Sequence, residues 1–108
     1  MQETPLYLVP FDFTSVSESA LRLGLDLAIA NNGQVILLHV VKKHSEKKSA
    51  KTKFSKSINA LAENDQKRIQ SRVLIGDLFD SIKIAGDLVE PSLIVLGTHG
   101  AKGFQKIF

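Results

Sequence analysis

The sequence predicts an α/β fold, a three-layer α/β/α sandwich built on a parallel sheet. Four short apolar runs alternate along the chain with three amphipathic helical segments, and this alternation is typical of a parallel sheet covered by helices. Two of the runs are apolar almost throughout, as strands buried on both faces are. Right-handed crossovers then make the domain doubly wound, with helices on both faces.

The first half of the chain predicts strand, helix and strand. "LYLV", Leu6 to Val9, is a short β-capable run before a proline. Ser15 and Glu18 have the spacing of a capping box, and Asn31 to Gly33 ends the helix. The residues at helical spacing between them are expected to face the core: Val16, Ala20, Leu23, Gly24, Leu27 and Ala28. Gln34 to Val41 is rich in β-branched residues and predicts a strand buried on both faces.

The second half repeats the pattern twice. Phe54, Ile58, Leu61 and Ala62 form one apolar stripe of a second helix. "RIQSRVLIG" alternates and predicts a third strand nearer an edge. Asp77 can cap a third helix whose inward residues are Leu78, Ile82, Ala85 and Val89. Glu90-Pro91 ends that helix, and "SLIVLG", Ser92 to Gly97, predicts a fourth strand.

Composition excludes several classes of protein. There is no cysteine, so disulfide frameworks and thiolate metal sites are excluded. No apolar run reaches the roughly 18 residues of a membrane helix, and the N-terminus does not resemble a signal peptide. The expectation is one soluble, cytoplasmic domain over residues 1–108, with no membrane partner.

Half of the fourteen basic residues are lysines between Lys42 and Lys56, although the net charge is only +3. One interpretation is a phosphate or nucleic-acid patch. The other is a solvated loop and helix start. No arginine and only Phe54 lie among these lysines, so base stacking has little support. The sequence favours the solvated loop and no nucleic-acid partner.

Ligands of doubly wound sheets bind outside the carboxyl ends of the strands, and the turn "GTHGAKG" after the fourth strand stands there. Gly97 and Gly100 would let backbone amides approach a phosphate, and Thr98 and His99 supply hydrogen-bonding groups. An ordinary tight turn explains the glycines equally well. Asp12, at the same edge, suits a ribose hydroxyl or a metal ion, or simply the start of a helix.

Other recognisable sites are missing. The chain has no G-x-x-x-x-G-K-[ST] phosphate loop and no G-x-S-x-G nucleophile elbow. It has no paired carboxylates after the first strand and no histidine-rich metal spacing. His39, inside an apolar strand, is expected to be a buried hydrogen-bonding histidine, and His44 to be exposed. No catalytic residue is identified.

These segments together resemble the universal stress protein family. "LVPFDFTSVSESALRLGLDLA" is similar to its first strand, P-x-D-[FS]-[ST] loop and first helix. "GQVILLHVV" is similar to the second strand, with the usual histidine before valine, and "PSLIVLGTHGAKG" to the fourth strand and turn. Gly76-Asp77 matches the family's junction between the third strand and the following helix. The resemblance covers the whole chain.

The resemblance implies a Rossmann-like fold, of the adenine nucleotide alpha hydrolase type, with five parallel strands, four of them present here. One branch of the family binds ATP, with or without Mg²⁺, through G-x2-G-x9-G-[ST]. Gly97 and Gly100 match its first two glycines, with Thr98 and His99 in the same turn, and the final G-[ST] would fall past Phe108. The residues that match the adenosine contacts are Pro10, Phe11, Asp12 and Val40 or Val41.

The resemblance also implies a homodimer, which the family forms through its fifth strand. The domain is therefore expected to be C-terminally incomplete, to bind ATP weakly or not at all, and to associate through the open edge of its fourth strand. The function expected is ATP binding with a regulatory role in stress response, with slow ATP hydrolysis at most. The alternative is an interaction or scaffold module that binds no nucleotide. A third reading, an enzyme of the related adenylate-forming superfold, lacks the H-x-G-H or S-G-G-x-D signature.

Overall fold

The structure is a computed structural model, and it describes residues 4–97. The elements are β1 (Leu6–Pro10), α1 (Ser15–Asn31), β2 (Gln34–Val41), a 3₁₀ turn (His44–Glu46), α2 (Lys47–Asn59), α3 (Glu63–Gln66), β3 (Ile69–Ile75), α4 (Leu78–Val89) and β4 (Leu93–Ile94). The strands form one parallel sheet in the order β3-β2-β1-β4. The predicted α/β class is confirmed, and β3 lies at an edge as expected. No helix in this part of the chain has the length and apolarity needed to cross a membrane.

Helices pack on both faces of the sheet, which gives the three predicted layers. On one face, Leu21 of α1 and Phe54 of α2 are buried with Val35 and other residues of the central strands. On the other face, Ile82 and its neighbours on α4 pack against the Leu8 cluster. The chain runs outward from β1 through β2 to β3 and then returns to β4 on the other side of β1. The change of direction between β1 and β4 is the topological switch point.

Helix α1 starts one residue earlier than the capping-box spacing predicts. Thr14 is the N-cap, because its hydroxyl oxygen accepts a hydrogen bond from the Ser17 backbone N–H at 3.3 Å. Ser15 is therefore the first helical residue. The buried face is also rotated, so that Leu23 is 53% exposed. The buried residues of α1 are Ser17, Ala20, Leu21, Gly24, Leu25 and Ala28.

The lysine-rich segment is more helical than the sequence suggests. Helix α2 begins at Lys47 and ends at Asn59, so Leu61 and Ala62 lie beyond it rather than on its stripe. The Leu61 N–H donates to the Ile58 carbonyl at 3.0 Å, which tightens the chain into a turn before α3. Leu61 still packs against the core, while Ala62 is exposed.

The last two elements differ from the prediction at their ends. Asp77 caps α4 as predicted, accepting from the N–H groups of Phe79 and Asp80. Leu78 does not face the core, since it is 40% exposed. The fourth strand is only two residues long rather than six, since its register with β1 covers only Leu93 and Ile94.

Candidate functional site

A pocket of about 220 Å³ opens at the carboxyl ends of the strands, beside the switch point. All four strand ends contribute to its wall. The lining residues are Pro10, Phe11, Asp12, Ser17, His39, Val40, Lys42, Gly76, Leu78, Leu96 and Gly97. A cleft of this kind is where parallel α/β sheets bind small ligands.

The turn between β1 and α1 forms one wall, and Asp12 organises it. The Asp12 carboxylate accepts hydrogen bonds from the Thr14 N–H and from the hydroxyls of Thr14 and Ser17. The Asp12 N–H donates to the Ser17 hydroxyl oxygen at 3.0 Å. These bonds hold an exposed carboxylate in a fixed place at the edge of the pocket. They also bear out the interpretation of Asp12 as a residue that stabilises the start of the helix.

His39 connects that turn to β2. Its Nδ1 lies 2.7 Å from the Phe11 carbonyl oxygen, so Nδ1 carries the proton and donates it. The ring also contacts Phe13, at 4.8 Å between centroids. Phe13 has a φ of 65°, an unfavourable value for a bulky residue, and its packing against Phe11 and Phe54 holds it there. The expected hydrogen bond is confirmed, but His39 is half-buried rather than buried, and its ring contributes to the pocket wall.

The turn after β3 closes the opposite side of the pocket. Gly76 has a φ of 140°, which a residue with a side chain rarely adopts. Its N–H donates to the Val41 carbonyl at 2.9 Å, so β2 and this turn are held together. Leu78 follows at the start of α4, and the exposed Lys42 follows β2. Lys42 and Asp12 thus place one cation and one anion on the pocket lining.

Gly97 lies against the first turn of α1. A Cβ at this position would be 2.7 Å from the Val16 carbonyl oxygen and 2.9 Å from Val16 Cγ1. Real Cβ atoms do not approach other atoms so closely. Packing between the end of the fourth strand and α1 therefore requires a glycine here, whether or not a phosphate binds nearby.

The structure brings together five of the nine candidate residues: Pro10, Phe11, Asp12, Val40 and Gly97. Val41 is not among the pocket residues. It is buried beside Phe13 and His39 in a neighbouring groove. The remaining candidates, Thr98, His99 and Gly100, lie outside the described residues.

Sequence reasoning did not select the other six lining residues as site residues. For Gly76 a signal was available, because "GD" follows the third strand at the same edge of the sheet. For Ser17 the signal was its spacing from Thr14, which fits a cap and its N3 partner. Lys42 and Leu96 carry no motif, and only the topology places them here. Among residues 4–97, no group of three or more His, Cys, Asp and Glu side chains is arranged to hold a metal ion.

Comparisons with known proteins agree with this fold. The structure resembles universal stress protein UspA from Lactobacillus plantarum, with a TM-score of 0.75 and 18% identity over 94% of this chain and 83% of that one. It also resembles the universal stress protein from Archaeoglobus fulgidus in complex with dAMP, with a TM-score of 0.75 and 19% identity over 99% and 90%.

A third similar structure is a universal stress protein in complex with cAMP, with a TM-score of 0.64 and 18% identity over 86% of this chain and 71% of that one. A search of curated proteins gave no significant match. The profile of the universal stress protein family matches residues 7–108, almost the whole chain. The chain belongs to the universal stress protein family.

Proposed function

We propose that this chain binds an adenine nucleotide, with ATP as the physiological ligand, in the pocket at the carboxyl ends of the strands. The bound nucleotide would regulate a partner interaction in stress response. The observation that supports this most is the convergence of Pro10, Phe11, Asp12, Val40 and Gly97 on one pocket. These residues come from three different strand ends, and the sequence pattern alone predicts them as ligand contacts. Relatives in complex with dAMP and cAMP support the same ligand class.

The pocket suits the base and ribose of such a ligand. Its volume of about 220 Å³ is below the range of roughly 300–1,000 Å³ typical of sites that enclose a whole drug-sized molecule. Its lining combines apolar surface from Phe11, Val40 and Leu78 with the polar groups of Asp12 and Lys42. Apolar walls bury a purine ring, and a few polar groups fix its orientation. In this proposal Asp12 accepts from a ribose hydroxyl, the role that its residue type and place suit.

Calorimetric titration with ATP, AMP and GTP tests the proposal. We expect saturable binding of the adenine nucleotides, weak for ATP as the sequence predicts, and still weaker binding of GTP. Leu78→Trp should weaken binding about tenfold or more, since the larger side chain would occupy the pocket. Ile84→Trp is the matched control on the same helix, because Ile84 is 55% exposed and does not line the pocket. Equal affinities in the two variants would contradict the proposed place of binding.

Asp12→Asn tests the role of the carboxylate separately. The amide oxygen can still accept from Thr14 and Ser17, so the turn should remain folded while the charge is lost. If Asp12 binds the ribose as an anion, the affinity for AMP should fall several-fold without a change in thermal stability. Unchanged affinity would remove Asp12 from the binding residues.

The alternative is an interaction module that binds no nucleotide, and one observation favours it. Seven of the ten exposed large apolar residues in the described region lie on α4, β4 and the residues just after β4, including Leu88 at 79% and Leu93 at 48% exposure. Exposed apolar residues concentrated on two consecutive elements in this way are typical of a protein contact. The homodimer expected from the family would be one such contact. Light scattering on the wild type and on Leu93→Lys tests it, because a dimer through this face should dissociate in the variant.

A further inference from the structure

Helix α2 and the turn before it carry a concentrated positive charge. Residues 42–56 contain seven lysines and one glutamate, a net charge of +6, whereas the whole chain carries +3. The remainder of the chain is therefore net negative, and the charge is segregated rather than mixed. Such segregation is the electrostatic signature of a surface that attracts a polyanion.

The lysines are mostly exposed, as expected of a solvated segment, but most of them do not lie in a loop. Five of the seven lysines lie on the ordered helix α2. Ala50 and Phe54, 4% and 1% exposed, anchor the opposite side of that helix in the core. The lysines are therefore presented to solvent from a fixed backbone. Lys48, Lys51 and Lys56 are all exposed.

Among residues 4–97, these lysines are also not paired with carboxylates. The ion pair found among residues 4–97 joins Arg22 and Asp26, so none of these lysines has a carboxylate within 4 Å in that part of the chain. Helix α2 has no acidic residue in its first turn, and Lys47 and Lys48 there oppose the helix dipole. Lys47 and Lys51 repel each other at i,i+4. Glu46 at the N-cap is the one carboxylate next to this turn, and it is not ion-paired with these lysines among residues 4–97.

We propose that α2 is a binding surface for the phosphate backbone of duplex nucleic acid. At 3.6 residues per turn, Lys51 and Lys53 fall on opposite flanks of the exposed side of the helix, with Lys48 and Lys56 between them. Lys47, Lys48 and Lys51 line a shallow depression with His44 on one flank. On the other flank, Lys53 lines a groove beside Phe13. A helix with lysines on both flanks fits a groove between two rows of phosphates, and a major groove of about 12 Å admits a helix.

The contacts would be to phosphates and not to bases. The segment has no arginine, the residue that most often reads guanine. Two of the three exposed hydroxyls of α2 already donate within the helix, from Thr52 to the Lys48 carbonyl and from Ser55 to the Lys51 carbonyl, each at 3.1 Å. Binding should therefore be independent of sequence. A flat anionic membrane fits less well, because it would meet the lysines of one flank only and the apolar side of α2 is buried in the core.

Fluorescence anisotropy with labelled DNA duplexes of two unrelated sequences tests the proposal, using the whole chain. If about five phosphates are neutralised, affinity should fall about 500-fold between roughly 50 and 200 mM salt, equally for both sequences. Two triple variants separate the surface from the net charge, since each removes three exposed positive charges. The first carries Lys48→Gln, Lys51→Gln and Lys56→Gln, and the control carries Lys67→Gln, Arg72→Gln and Lys83→Gln.

The α2 triple variant should bind the duplexes at least tenfold more weakly. The slope of its log affinity against log salt concentration should be less steep than that of the wild type, by the amount that corresponds to about three phosphate contacts. The control should stay within about threefold of the wild type. Equal losses in the two variants would overturn the proposal, as would the absence of binding at low salt. Tighter binding to single strands than to duplexes, or to phosphatidylserine vesicles than to either, would also overturn it.

Discussion

Gly97 offers the sharpest test of how the strand ends are packed. Replacing it by alanine adds one methyl group at a place where the Val16 carbonyl oxygen would be 2.7 Å away and Val16 Cγ1 2.9 Å away. The neighbouring atom is helix backbone and cannot rotate aside, so α1 or the end of the fourth strand must move. Overpacking of this kind costs typically 1–3 kcal/mol. We expect Gly97→Ala to destabilise the fold by about that amount.

Gly86 provides a matched control with the opposite sign. It lies inside α4, and a Cβ added there would meet no atom within 4 Å outside the helix's own backbone. Alanine in a helix interior is more favourable than glycine by roughly 0.5–1 kcal/mol. Gly86→Ala should therefore stabilise the protein. The two variants make the same chemical change and should shift stability in opposite directions.

Urea unfolding followed by circular dichroism measures both variants. The expected difference between them is about 1.5–4 kcal/mol, which at an m-value of about 1.5 kcal/mol/M separates the midpoints by about 1–3 M. Gly97→Ala as stable as the wild type would refute the packing explanation. If that variant kept its stability but lost nucleotide affinity, the glycine would serve the ligand instead.

Three further predictions concern the turn and the core. Phe54→Ala should cost about 3–5 kcal/mol of unfolding free energy, since Phe54 is 1% exposed and contacts Phe11, Phe13 and His39. Phe79→Ala should cost much less, because Phe79 is 40% exposed. Similar losses for the two variants in denaturant unfolding would contradict the assignment of Phe54 to the core. Thr14→Ala should lower the unfolding free energy by about 1 kcal/mol, because the N-cap is lost. Ser15→Ala should change it by no more than about 0.5 kcal/mol. If thermal melts showed the larger loss for Ser15→Ala, the capping-box interpretation would be restored. His39→Leu should lower the unfolding free energy by about 1–3 kcal/mol, because the Phe11 carbonyl would lose its hydrogen-bond donor. An unchanged denaturation midpoint would show that the carbonyl finds another donor.

The sequence was sufficient for the order of the four strands and the three longer helices and for the general place of the candidate pocket, but it did not predict the 3₁₀ turn or α3. Apolar runs such as Gln34–Val41 can be buried only inside a sheet, and the parallel arrangement then fixes where ligands bind. The helix cap at Asp77 could also be predicted, since its side chain accepts hydrogen bonds from residues only two and three positions later, Phe79 and Asp80. These features depend on local spacing or on one general rule of topology.

Features that depend on contacts between residues far apart in the chain could not be predicted from the sequence. Only glycine fits at position 97, because the backbone of Val16, 81 positions earlier in the chain, lies so close. The buried face of α1 is set by which side meets β1, so Leu25 is buried and Leu23 is not. The contribution of His39 depends on a carbonyl in a different loop. Helical spacing alone cannot distinguish such alternatives.

The central claim, an adenine nucleotide in the strand-end pocket, is tested most directly by locating the ligand. Amide chemical shifts of the isotope-labelled chain, recorded during titration with AMP, would show which residues respond. We expect saturable shifts concentrated at Phe11, Asp12, Val40, Gly76 and Gly97, the amides around the pocket. Shifts concentrated along α2 instead would contradict the claim, because the nucleotide would then bind on that helix. No saturable shift at all would also contradict it, and would favour the interaction module.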